Sequence, residues 1–536
     1  MTDPAGRAKM LTFLLAIASS SCSLKPIAPQ IGAGPGAVVD FSESKPISPY
    51  IYGANSDDFA HLGPNLNLVR EGGNRMTAYN WETNASNAGS DYKFQNDDFM
   101  ARDLPAGQKQ EPGAVMRNFL QKAQSNGAAA ILTVPTAGYV SADEKGDGDV
   151  RQTPNFINVR FLKSYARKPG GHYIYPPDLN DHAVYQDEFV SWIEKIKSAA
   201  TPVWFMLDNE PDLWGSTHNE IWPKSPTYAQ IIANNVEFSS AIKDVAPQSL
   251  IFGPANYGWQ GFRRFQDAPD ANGRDFLNTY LDAMKDAGEH AGHRLLDVLD
   301  VHWYPEARGD NVRVTESGSK PGTAFARIMA PRSLWDPKYV ESSWIADSLG
   351  RRPIVLLPRI EDQIEAHYPG TKFSISEYNY GGNNDISGAI AQADVLGIFG
   401  RYGLFAACNW GLSAGDMAEL AGFKAFQDYD RHGAKFADLE LPVEGVDPTA
   451  GSVYAALDSH DPHRVTIVFI NKTFSPGYKS VRLNGFTASS ARTFTVTKAN
   501  FAGAPDAGTA DIKSDGIGFQ AAAMSITTIE VQGTKK

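Results

Sequence analysis

The chain has 536 residues, 42% hydrophobic, 21% charged and 11% aromatic, with a formal net charge of -12, a composition that supports a large apolar core and more than one folded unit. The acidic balance and the lack of clustered lysine and arginine exclude nucleic acid as a partner. Two cysteines, Cys22 and Cys408, leave no disulfide framework, so packing must hold the fold.

Arg7 and Lys9 precede a short apolar stretch, residues 10–18, which ends in Ser19, Ser20, Ser21 and Cys22. That is the pattern of a bacterial-type export signal, too short to span a bilayer. It predicts a secreted or cell-surface protein, with plain secretion favoured over a lipid anchor at Cys22. No later apolar run is long enough for a transmembrane helix. Residues 23–36 are rich in Pro, Gly and Ala and read as a linker.

From there strand and helix patterns alternate. Strand-like runs begin near Tyr50, Leu66, Ala128, Val203, Ser249, Leu295, Lys372 and Phe405. Between them apolar residues recur at helical spacing, for example Val115, Met116, Phe119, Leu120 and Ala123, or Tyr185, Phe189, Trp192, Ile193 and Ile196. Eight strands alternating with helices predict a (β/α)8 TIM barrel. After about residue 425 helical periodicity stops, and short strands separated by Gly, Pro, Asn and Asp predict a C-terminal β-sandwich domain completed by an N-terminal strand near Val38. The expected boundaries are 1–22 for the signal peptide, 23–36 for the linker, 37–48 for the N-terminal strand, 49–425 for the catalytic barrel and 426–536 for the sandwich.

Barrel chemistry sits at the C-terminal strand ends, so polar and aromatic residues that directly follow an apolar strand are the candidates: Arg70, Asn74, Asn209, Glu210, His302, Trp303, Tyr304, Glu377, Tyr378 and Trp410. Glu210 closes the fourth strand and Glu377 the seventh, across the barrel mouth from one another. Two facing carboxyls hydrolyse a glycoside with retention when about 5 Å apart, or with inversion when roughly 6.5–9.5 Å leaves room for a water. Glu210, after the apolar run containing Trp204, is assigned as acid/base, and Glu377 as nucleophile, with Arg70 or His302 favouring its ionised form. Trp81, Trp214, Trp344 and Trp410 are candidate stacking platforms for sugar rings.

Several stretches match together and in order: Asp208-Asn209-Glu210-Pro211, residues 301–306, Gly72-Gly73-Asn74-Arg75 with residues 79–82, and residues 384–388 after Ser376-Glu377-Tyr378. From about Tyr50 to the C-terminus the chain resembles glycoside hydrolase family 44. The resemblance implies a barrel with an attached sandwich, retention of configuration, and endo-cleavage of β-1,4-glucans such as cellulose derivatives and xyloglucan. It also implies Glu210 as acid/base, Glu377 as nucleophile, and Asn209, Tyr378 and His302 along the sugar. Ser348 stands where the family often carries a second tryptophan, and Asn383 where it often carries an acid.

Two competing readings remain. Gly411-Leu412-Ser413-Ala414-Gly415 fits the G-x-S-x-G pattern of a serine esterase, with His432, His460 and His463 downstream. A non-catalytic carbohydrate-binding protein would keep the aromatics and need no acid pair. No cofactor is required and no catalytic metal is expected. The acidic loop 143–149 is the place where a structural calcium could sit, although it lacks EF-hand spacing. The expected partner is the polysaccharide alone, bound by a monomer.

Overall fold

In the computed structural model, which describes residues 36–63, 66–316 and 318–536, the chain enters as a strand, β1 (Ala37–Asp40), and then builds a barrel. Its staves are β2 (Gly53–Ala54), β3 (Leu68–Glu71), β4 (Ala129–Val134), β5 (Val203–Leu207), β6 (Ile251–Asn256), β7 (Val298–Trp303), β8 (Lys372–Tyr378) and β9 (Ala406–Asn409). They are all parallel and close in the order β5-β6-β7-β8-β9-β2-β3-β4. The residues of β4, β5, β6 and β7 are buried on both faces, because one face fills the barrel and the other meets the helices. Leu68, Ile131, Trp204, Met206, Phe252, Val298 and Cys408 form the inner core.

The first stave is shorter than the apolar run around Tyr50 predicts. Tyr50 lies in a tight turn, Pro49–Ile51, and its ring meets Trp204 edge-on at 4.8 Å. Phe405 and Phe252 lie against the same indole at 5.5 and 5.6 Å. These rings plug the barrel at the N-terminal end, so Trp204 lies at the floor and does not surround Glu210.

Around the staves run α1 (Ala114–Ser125), α2 (Gln186–Ile196), α3 (Tyr228–Val245), α4 (Phe276–Ala291), α5 (Leu356–His367), α6 (Ile386–Tyr402) and α7 (Met417–Gln427). The start of α3 is fixed by a capping box, in which the Thr227 hydroxyl accepts from Gln230 N and the Gln230 side chain accepts from Thr227 N. The connections after β3 and β4 also carry two small three-stranded sheets, which no helical or alternating pattern in the sequence announced.

The C-terminal region forms two sheets. One is five-stranded, with β1 paired parallel to Gly477–Asn484 and antiparallel to Val443–Glu444. The other is seven-stranded and centred on Gly451–Leu457, Arg464–Asn471 and Ser525–Lys535. Val453, Ala455, Val465 and Ile467 face the five-stranded sheet, while Tyr454, Ala456, Val468 and Ile470 belong to the barrel's own core. Period-two alternation thus makes one sheet the wall of both units. Tyr454 packs so tightly on Gly397 of α6 that a Cβ there would lie 2.2 Å from its ring. Below it, Lys472 Nζ reaches Asp394 Oδ2 at 2.7 Å, and the Tyr454 hydroxyl donates to Asp394 Oδ1 at 2.6 Å.

The signal peptide, the anchor residue Cys22 and the linker up to residue 35 lie outside the described residues. Among the described residues no helix is long and apolar enough to cross a membrane.

Candidate active site

The site is built around Arg70, which β3 aims into the barrel. Its Nη1 donates to Glu377 Oε1 at 2.7 Å and to Asn55 Oδ1 at 2.9 Å, and its Nη2 donates to Asn209 Oδ1 at 2.7 Å. One planar fork thereby ties the ends of β2, β5 and β8 together. Such a fully buried cation keeps its charge because Glu377 and Asp300 lie beside it, against the opposing effect of burial.

At the end of β5 the backbone turns sharply, with Asp208 at φ 64° and Glu210 at φ 42°. The left-handed conformation is costly for side-chain-bearing residues and is held here by hydrogen bonds. Asp208 accepts from the Thr77 hydroxyl at 2.6 Å, from Thr136 N at 2.5 Å and from Asn209 N at 2.8 Å. Asn209 Oδ1 also accepts from Gly73 N at 3.2 Å, and Glu210 N donates to Ala255 O at 3.0 Å. The turn aims Glu210 across the mouth, where its carboxyl is pushed up to about 8, chiefly by burial and further by the charge of Asp212.

Glu377, at the end of β8, accepts a second hydrogen bond on Oε2 from the Tyr304 hydroxyl at 2.8 Å. His302 stands between the acids, its Nδ1 2.8 Å from Glu210 Oε1 and 3.3 Å from Glu377 Oε2. Burial pulls this imidazole down to about 3, so it is neutral, and Arg70, not His302, is the cation beside Glu377. Its Nε2 has no partner, which favours the tautomer whose proton sits on Nδ1, facing the carboxyls. One oxygen from each glutamate and a ring nitrogen of His302 all lie within 4.8 Å of one another. The same three groups could in principle chelate a divalent ion, but the guanidinium of Arg70 already neutralises one of the two carboxylates.

Other sequence candidates divide into those at the mouth and those behind it. Trp410, 38% exposed, lies on the bare backbone of Gly73, where a Cβ would approach its ring to 2.6 Å. Trp344 is 44% exposed and shares a small cavity with Tyr257, Trp259, Tyr304 and Glu306. Asn74 braces its loop, with Nδ2 donating to Ala88 O at 3.2 Å and its carbonyl 2.8 Å from His218 Nε2.

Four aromatic assignments need correction. Trp81 is 1% exposed and stacked on Trp192 at 5.7 Å, because its loop folds back over α2. Trp214 is also fully buried, and its Nε1 donates to Asn209 O at 3.2 Å, so it braces the acid turn from below. Tyr378, next to Glu377 on a strand, must face the opposite way. Its hydroxyl accepts from Gln392 at 2.9 Å and its ring packs on Phe399. Trp303 turns outward by the same rule and packs on Phe262 at 6.4 Å.

Two polar residues at the centre escaped the sequence reading. Asn55 follows β2 and links Arg70 to Ser376 O, to which its Nδ2 donates at 2.8 Å. Asp300, inside the barrel below His302, accepts from the Ser376 hydroxyl at 2.6 Å, from Ser376 N at 3.1 Å and from the Ser374 hydroxyl. Burial pushes it up to about 7.

The serine-esterase constellation does not assemble, since the Ser413 hydroxyl donates to Asp416 Oδ2 at 2.6 Å and not to an imidazole. In the acidic loop, the guanidinium of Arg160 lies between Asp143 and Asp147, at 2.6 and 2.7 Å, where a calcium ion would need to be.

The model of glycoside hydrolase family 44 matches residues 85–307. Endoglucanase A of Paenibacillus lautus is 40% identical in an alignment 448 residues long that covers 81% of this chain and 63% of that protein. The β-mannanase/endoglucanase A of Caldicellulosiruptor saccharolyticus is 38% identical over 83% of this chain and 35% of its own length. The chain therefore spans less than two thirds of these curated relatives. Among solved structures, the family 44 endoglucanase of Clostridium thermocellum superposes with a TM-score of 0.85 at 38% identity, covering 93% of this chain and 99% of the other. The xyloglucanase of Paenibacillus polymyxa, solved with xyloglucan, gives 0.87 at 35% identity over 92% and 99%. With solved members matched over nearly their whole length, the chain belongs to glycoside hydrolase family 44.

Proposed function

We propose that this chain is a secreted, endo-acting glycoside hydrolase that cleaves β-1,4-glucan backbones with retention of configuration. The observation that carries the mechanism is the spacing of the acids. The facing oxygens of the two glutamates approach within 4.8 Å, a close approach that supports direct attack by one carboxylate, with carboxyl groups about 5 Å apart, over inversion, which needs roughly 6.5–9.5 Å between the groups for an intervening water. In this reading Glu210, kept protonated by its burial, gives its proton to the glycosidic oxygen as the bond to the anomeric carbon breaks. Glu377, oriented by Arg70 and Tyr304, forms the glycosyl-enzyme. Glu210, now a carboxylate, takes a proton from the water that hydrolyses it.

The substrate class is supported by the relatives, named as endoglucanases, a β-mannanase/endoglucanase and a xyloglucanase. Trp410 and Trp344 offer exposed ring faces for such a chain. The test is Glu377→Ala assayed for reducing-sugar release across carboxymethyl cellulose, xyloglucan, lichenan, xylan and glucomannan. Activity should vanish, and azide should restore turnover with a glycosyl azide of inverted configuration. Undiminished hydrolysis by the variant would remove Glu377 from the mechanism.

A further inference from the structure

Beyond the cleft, between the short helix Trp259–Arg264 and the start of α5, lies a second cavity of about 410 Å³, lined by Trp259, Phe262, Arg263, Asp275, Arg352 and Arg359 among others. Three guanidiniums here face one carboxylate, in a chain whose net charge is -12. The carboxylate is already engaged. Asp275 Oδ1 accepts from Asn278 N at 3.3 Å and Gln363 Nε2 at 2.9 Å, and Oδ2 lies 3.6 Å from Arg263 Nε. Arg352 and Arg359 each use only Nε, donating to Leu349 O at 2.9 Å and Ile354 O at 3.2 Å. Among the described residues their Nη groups meet no protein acceptor. Burial first, and then the neighbouring charges of Arg263 and Arg352, lower the pKa of Arg359 against the opposing effect of Asp275.

The arginines are also positioned. Arg263 and Arg359 lie 5.8 and 5.4 Å from the centre of the Trp259 ring, so cation–π attraction steadies both forks. Trp259 lines this cavity and also the small one that holds Trp344, Glu306 and Tyr304, and Tyr304 in turn touches Glu377. Trp259, itself buried, is thus a wall common to the two cavities. The volume of the arginine cavity is that of a small-molecule site, and the planar arginine fork pairs with a planar carboxylate through two parallel hydrogen bonds.

We propose that Arg263, Arg352 and Arg359 form a site for the carboxylate of an acidic substituent carried by the polysaccharide substrate outside the catalytic cleft. The assignment rests on the glycan-hydrolase reading and deepens it, adding an acidic-glycan preference to an enzyme whose overall charge would repel such a polymer.

The test compares wild type with Arg352→Gln/Arg359→Gln on carboxymethyl cellulose and on neutral hydroxyethyl cellulose of matched substitution. The variant should lose about tenfold in kcat/KM on the carboxymethyl polymer, the loss of roughly one charge-assisted hydrogen bond, with hydroxyethyl cellulose unaffected. Added salt should narrow the gap between wild type and variant on the carboxymethyl polymer, because it weakens the arginine–carboxylate attraction and the repulsion by the acidic chain alike. Inorganic phosphate should inhibit only the wild-type reaction on the carboxymethyl polymer. Equal losses on both polymers, or none, would overturn the site, as would phosphate inhibiting both substrates alike. Gel retardation by each polymer decides the question independently of turnover. If wild type cleaves neither polymer yet is retarded by the carboxymethyl one in an arginine-dependent way, the hydrolase reading fails and the anion site stands. Retardation that ignores the substitutions sinks the site.

Discussion

Replacing Glu210 by glutamine should make the cost of its raised pKa measurable. The carboxyl ordinarily titrates near 4.5 and is pushed up to about 8 in the folded chain, first by burial and then by Asp212. Between those values the folded chain holds a proton that the unfolded chain has released. Stability therefore falls as pH rises from about 4.5 to about 8, and levels off above. At ~1.4 kcal/mol per pH unit the full window is worth about 5 kcal/mol. The side chain keeps 16% exposure at the mouth, and water screening there reduces the working figure to about 2–3 kcal/mol. Glutamine has no such titration. In urea unfolding followed by circular dichroism, the variant should therefore gain on wild type by about 2–3 kcal/mol between pH 4.5 and pH 9. Other raised carboxyls, such as Glu71 and Glu82, are common to both proteins and cancel in the difference. Hydrolysis of unactivated glucan should fall by about 10²–10⁴-fold, and wild-type activity should itself decline above pH of about 8 as the acid is lost. A stability difference that is the same at both pH values would refute the argument that burial keeps Glu210 protonated.

Arg70→Lys keeps the charge but loses the fork that spans Glu377, Asn55 and Asn209; kcat/KM should drop by about 10²-fold, the scale of a misplaced reacting group. Arg70→Met should in addition destabilise the chain by about 3–5 kcal/mol, read from urea unfolding, because Glu377 and Asp300 are left without their cation. Trp81→Ala should destabilise by about 3–5 kcal/mol with little change in KM, whereas Trp410→Ala should spare stability and raise KM by up to about tenfold. Lys472→Met should lower stability by about 3–5 kcal/mol by stranding the buried Asp394, and Asp394→Leu in the same chain should recover much of that loss.

The architecture was legible because each barrel strand is an apolar run with an abrupt polar end, and both glutamates were found that way. Neighbouring side chains were harder. Tyr378 and Trp303 follow inward-facing residues, and the period of two alone would have turned them outward. Asp300 was open to the same reasoning, since it stands two residues before His302 and must share its face. Trp81 and Trp214 lie among polar residues in sequence, which says nothing about where their loops fold back. Asn55 directly follows the strand-like run that begins near Tyr50, so it too was open to the strand-end criterion. The arginine cavity joins residues 263, 352 and 359 from separate elements, a proximity that only the tertiary fold creates.

The pairing of Ala37 with Val481 has a consequence for biosynthesis. The strand made among the first must wait for one made among the last, so during translation β1 remains an unsatisfied edge able to pair with a neighbouring chain. Because the sheet it completes packs back to back with the sheet that walls the barrel, the barrel too lacks part of its enclosure until the C-terminal strands emerge. Truncation within the last strands should therefore expose apolar surface on both units at once and yield aggregation, where loss of a tethered module would leave an active barrel behind.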